Sequence, residues 1–184
     1  MVGLKSKSNF SFVNDDVLRD NIDIAFDLVV ELIPLSNSKE YSELIKSSFR
    51  KLIIISTASI IEALILYILK NNKTEEELSS KTIEIKEIKR IYEINKETRI
   101  ILVEDYEKIK SCKFEKLNLQ NLIDLCKEHK LLNKEILDLV SGVKDLRNKQ
   151  HIGTLKHVDG GYSQKDLEFV FFVASRVKKL ASKI

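Results

Sequence analysis

The residues best suited to chemistry close one helical pattern near the carboxyl end. Ile136, Val140, Val143, Arg147 and His151 follow one another at steps of four, three, four and four. That spacing puts all five on nearly one face of a helix. An apolar ridge that ends in Arg and then His is unusual, and Leu146 keeps the neighbouring line apolar. The two polar side chains therefore face a protein neighbour or a cleft rather than open solvent.

Each side chain brings a defined capability. Histidine titrates near neutrality and can take or give a proton at physiological pH. Arginine keeps its charge and offers a planar fork of donors suited to phosphate. Side by side they can serve phosphoryl transfer without a metal. His151 would assist attack by an RNA 2′-hydroxyl or protonate the leaving oxygen. Arg147 would stabilise charge building on the phosphate, and Asn148 could orient either group. The plainer reading is a cap, since cations favour the last turn of a helix.

Glu62 is the second unusual residue. It sits in the most apolar stretch of the chain, Leu52 to Leu69, and needs a partner if buried. Arg147 is a natural candidate, which would tie two helices together. The alternative is a thin solvent-facing strip shared with Ser59. The same stretch is just long enough to span a bilayer. Ser56, Thr57, Ser59 and Glu62 interrupt it, and a mid-span carboxylate costs roughly 2.5–3.5 kcal/mol on insertion scales. A central helix surrounded by neighbours, with no membrane, is the expectation.

Other chemistries find little support. His129 and His157 share no metal spacing with each other or with Cys112 and Cys126, so no metal or other cofactor is expected. There is no glycine-rich phosphate loop. Phe49 and Phe114 read as core rather than base-stacking platforms. The cysteines read as reduced packing residues, and Met1 to Phe12 has no apolar run that could serve as a signal peptide, so a cytoplasmic location is expected. A net charge of +3 permits nucleic-acid binding without requiring it.

The elements that must position these residues are helical. Among 184 residues there are 5 glycines and 1 proline, too few breakers for many short strands. Asn14 to Leu35 reads as a first helix capped by Asn14 or Asp15, with Val17, Ile22, Ala25, Val29 and Leu32 on its apolar face, Pro34 near its end and a turn at Ser36 to Ser38. Lys39 to Leu69 reads as a second helix, its first half amphipathic through Tyr41, Leu44, Ile45, Ser48 and Phe49. Thr74 to Glu77 fits a capping box. From Thr82 to Lys116 the patterns conflict. Ile83 and Ile85 alternate like a strand, while Ile85, Ile88 and Tyr92 are spaced like a helix. Arg99 to Val103 is strand-like, with Lys113 and Phe114 as its possible partner. Leu119 to Lys130 and Lys134 to about Ile152 are further helices, the latter capped by Asn133 and stopped by Gly153. A loop from Thr154 to Tyr162 with a Gly160-Gly161 turn leads to a capping box, Ser163 and Asp166, and a last helix from Gln164 to about Ser182. The expected architecture is all-α: a single domain over 1–184, a bundle of about five helices, with a small mixed or hairpin-like insertion at about 74–116.

Three stretches carry a family resemblance. Asp145-Leu146-Arg147-Asn148-Lys149-Gln150-His151-Ile152-Gly153 resembles the Arg-Asn…His signature of HEPN domains. Ser48-Phe49-Arg50-Lys51 through Ala58-Ser59-Ile60-Ile61-Glu62-Ala63-Leu64 is similar to the family's helix ending in a Glu-Ala-Leu-like motif. Leu122 to Glu128 through Leu131-Leu132 resembles the short helix before the motif helix. The resemblance covers most of the chain outside Asn71 to Lys116. It implies a helical bundle, often a homodimer with two motifs facing across the interface, and metal-independent ribonuclease activity in toxin–antitoxin, abortive-infection or other phage-defence settings. It assigns Arg147 and His151 catalytic roles, Asn148 and Glu62 supporting ones, RNA as substrate and an antitoxin protein as a possible partner. Only three residues separate Arg147 from His151, where the family pattern has four to six. The rival expectation is a non-catalytic helical module that binds RNA, a nucleotide or a partner protein.

Overall fold

The computed structural model describes residues 8–95, 99–149 and 161–184. It divides into two compact units, Met1–Asn72 with Leu117–Ile184, and Lys73–Lys116.

The larger unit is a helical bundle. Its elements are α1 (Asp16–Asn37), α2 (Glu43–Asn72), α4 (Leu119–Glu128), α5 (Lys134–Asn148) and α6 (Gln164–Ala181). The first helix starts where its cap dictates, because the Asp15 carboxylate accepts the Leu18 N–H at 3.0 Å. Ile22, Val29 and Leu32 are buried on it, but Val17 from the expected apolar face is 73% exposed. The helix runs three residues beyond Pro34, taking in Ser36 and Asn37, which the sequence suggested as a turn. Both side chains donate to the Ile33 carbonyl and so supply the last turn with local hydrogen bonds.

The second helix is the centre of the unit. It packs against α1, α4, α5 and α6. It begins at Glu43 rather than Lys39, because Ser42 is where its first hydrogen bonds form, to Ile45 and Lys46. Its ends differ. Leu44 and Ile45 are exposed, against the amphipathic reading of the first half, whereas Ile53, Ile54, Ile61, Leu64 and Ile65 are fully buried. By length and composition this helix could cross a membrane, yet 61% of its most apolar window is buried inside the fold, as in the core helix of a soluble protein. Asn71 and Asn72 close it by donating to the Tyr67 and Ile68 carbonyls.

The remaining helices follow their caps. Asn118 forms a reciprocal box with Asn121, Asn133 accepts the Ile136 N–H, and Ser163 forms the expected box with Asp166. The expected continuation of α5 to about Ile152, with Gly153 as stop, lies outside the described residues, as does most of the Thr154 to Tyr162 loop. Gly161 is described, with φ +75, and an added Cβ would fall 2.6 Å from Ser47 Oγ. That hydroxyl accepts the Tyr162 N–H at 2.7 Å, so it is not free to move aside. Gly161→Ala is expected to lower stability by about 1–2 kcal/mol, read as a lower urea midpoint with an unchanged slope.

Cys126 is buried in α4, and burial pushes its thiol up to about 11 from an ordinary 9.0. The thiol should resist a disulfide reagent at pH 8 in the native protein and react once unfolded. The sign of the pH effect follows. Between about 9 and 11 the unfolded chain loses this proton first, so stability falls as pH rises through that window.

The smaller unit comprises α3 (Glu75–Leu78), strands β1 (Ser80–Glu93) and β2 (Arg99–Lys110), and a 3-10 turn at Phe114–Lys116. The strands form an antiparallel hairpin pairing Ser80 with Lys110 and Glu93 with Arg99. Arg99 to Val103 therefore pairs with the end of β1, and not with Lys113 and Phe114. The latter two are tied to α3 instead: the Glu75 carboxylate accepts the Phe114 N–H at 2.8 Å and the Lys113 ammonium at 2.9 Å. Register shifts at Glu87/Lys89 and Arg90/Tyr92 explain the conflicting periodicity. Each adds a residue to one strand, which stretches a period of two toward three and mimics a helix.

Candidate functional site

The carboxyl end of α5 meets the middle of α2 through one ion pair. Arg147 Nη1 donates to Glu62 Oε2 at 2.5 Å. Each residue is placed by its own helix. On α5, Ile136, Val140 and Val143 are buried at 2% or less, and Leu146 is buried beside them. Arg147 is the next position on that ridge, so burial of the ridge aims it at α2. On α2, Ile61 and Leu64 are fully buried on either side of Glu62 and fix the rotation of the helix. Of the two readings of Glu62, the partnered one is what the structure holds.

The pair is neither sealed nor free. The side chains of Arg147 and Glu62 are 31% and 22% exposed. A guanidinium carries five N–H donors. Among the described residues Glu62 is the acceptor for Arg147, which leaves donors of the fork available at the surface. Glu62 holds the positive charge in place and restricts the rotamers of a long side chain. Asn148, the last residue of α5, is exposed next to it. Lys149 follows as the C-cap and donates its N–H back to Asp145 and Leu146. His151 lies outside the described residues. The structure thus brings Arg147 and Glu62 together, with Asn148 adjoining.

Neighbouring side chains stiffen this end of the bundle. Lys144 donates to Gln120 Oε1 at 2.6 Å, linking α5 to α4. On α2, three turns before Glu62, a hollow of about 470 Å3 is lined by Ser47, Ser48, Lys51, Gly161 and Tyr162. Its cation, Lys51, forms no ion pair among the described residues. The sequence reading did not single out this hollow. Ser47, Ser48 and Lys51 share a helix face, but the opposite wall comes from Gly161 and Tyr162, more than a hundred positions away, and no local pattern links them.

Among the described residues no group of three or more His, Cys, Asp or Glu side chains is placed to hold a metal ion. What fold and site define together is a mostly helical bundle with a partly buried Arg–Glu pair at one helix end. No protein-family model matches the chain, and neither a curated protein nor a solved structure does.

Proposed function

We propose that the chain is a metal-independent endoribonuclease of HEPN type that works as a homodimer. The observation that supports this most is the Arg147 guanidinium, braced by Glu62 and still partly open to solvent, at the end of a buried ridge. A phosphate clamp requires that accessibility. The Arg147-Asn148…His151 order adds the proton-transfer group.

In this reading the RNA 2′-oxygen attacks the adjacent phosphorus, and the bond from phosphorus to the 5′-oxygen breaks. One His151 accepts the 2′-hydroxyl proton, and its copy across the twofold axis protonates the leaving oxygen. Arg147 stabilises the charge on the non-bridging oxygens. The products are a 2′,3′-cyclic phosphate and a 5′-hydroxyl. The resemblance to toxin and defence proteins makes an antitoxin protein the expected regulator. Single-stranded RNA incubated with the purified protein in excess chelator tests the reading. Cleavage supports it, and intact RNA at high protein concentration rejects it.

The ion pair itself favours a second reading, in which Arg147 and Glu62 simply join two helices of a non-catalytic module binding RNA, a nucleotide or a partner protein. That module would bind without cutting. Single and double substitutions at the two positions would then alter stability alone, by about 1 kcal/mol for a partly buried pair.

A further inference from the structure

A separate pocket of about 270 Å3 lies among α1, α2 and α6, lined by neither Arg147 nor Glu62. Its walls are apolar: Phe10, Phe26, Val29, Ile60, Leu64 and Phe171. Phe10 and Phe26 meet edge to face at 5.7 Å, which gives one wall a fixed shape.

Three polar residues, Thr57, Ser175 and Lys178, break this lining. Thr57 lines the pocket, is 3% exposed, and its hydroxyl has no hydrogen-bond partner among the described residues. A helical hydroxyl ordinarily donates back to the carbonyl four residues earlier, as Ser59 does to Ile55 at 3.1 Å. Thr57 does not, so a buried donor is left for something else to satisfy. Lys178 also lines the pocket, with its ammonium 4.6 Å from the centre of the Phe10 ring. It forms no ion pair among the described residues. An apolar cavity with a few convergent polar groups is the usual form of a small-molecule site.

The geometry points to a binding site for a small carboxylic acid with an apolar body. The body fills the aromatic and aliphatic walls, the carboxylate pairs with Lys178, and a ligand oxygen accepts the Thr57 hydroxyl. An apolar cavity of about 150 Å3 holds benzene, so this one takes roughly ten non-hydrogen atoms. Octanoate has that size and charge.

Titration of the full chain with octanoate, octan-1-ol and acetate, followed by calorimetry and aromatic NMR shifts, tests the assignment. Octanoate should bind with a dissociation constant below about 1 mM, and acetate should not bind. Lys178→Gln should weaken octanoate about tenfold and leave octan-1-ol within about twofold. Thr57→Val should weaken both ligands, and Ala174→Phe, which fills the pocket, should abolish both while circular dichroism stays helical. The absence of octanoate saturation, or equal octanoate binding by folded Ala174→Phe, would overturn the site. If Ala174→Phe does not fold, the Lys178→Gln comparison decides: equal loss of both ligands, or loss of neither, rejects it.

Discussion

His151→Ala should reduce RNA cleavage by about 10²–10⁴-fold while the helical content and subunit association match the wild type. The size of the effect follows from the chemistry. Between Asp145 and Gly153 His151 is the one imidazole, the side-chain type suited to moving a proton near neutral pH. If the imidazole is the proton carrier and the chain pairs as proposed, its loss removes both the base and, through the twofold copy, the acid. A mixed dimer with one His151→Ala subunit would keep a single proton carrier and should fall well below half of the wild-type rate. Wild-type cleavage by the purified homodimeric mutant would remove His151 from the mechanism. Circular dichroism and sedimentation on the same preparation separate a catalytic loss from an unfolded protein.

Arg147→Ala should lower the cleavage rate by about 10²–10³-fold, the usual consequence of deleting a donor aimed at developing charge. Stability should change little, by about 1 kcal/mol or less, because the pair with Glu62 is partly exposed and water can replace it. This combination distinguishes a working arginine from a structural one. A purely structural Arg147 would show the small stability change and no defect in activity beyond it. Arg147→Lys adds a second readout. Lysine can still meet Glu62 but lacks the planar fork, so a phosphate clamp should remain impaired while the helix contact is restored.

The parts of the fold that were readable came from caps and periodicity. Asp15, Asn133 and Ser163 each place a helix start because a side-chain oxygen must meet an orphan N–H within three residues, a rule that sequence displays directly. The partner of Glu62 was readable as one of two alternatives, since a carboxylate in the most apolar stretch needs a cation if buried and Arg147 on the α5 ridge was a candidate. The hairpin was obscured for a physical reason: bulges near Ile88 and Ile91 shift the strand period, so no single template fits β1. Lys113 and Phe114 were misassigned because their real partner is Glu75, 38 and 39 positions earlier. The pocket at Thr57 was not visible at all. Thr57 appeared only as a polar interruption of an apolar run. Its burial beside a pocket depends on three helices meeting, which local spacing does not encode.

The most direct measurement is the chemistry of the RNA ends left by chelator-treated wild-type protein. Internal attack by a 2′-hydroxyl, with Arg147 on the phosphate and His151 moving the proton, predicts 2′,3′-cyclic phosphate termini facing 5′-hydroxyl termini. Fragments ending in 3′-hydroxyl and 5′-phosphate, or a substrate left whole, would contradict the assignment.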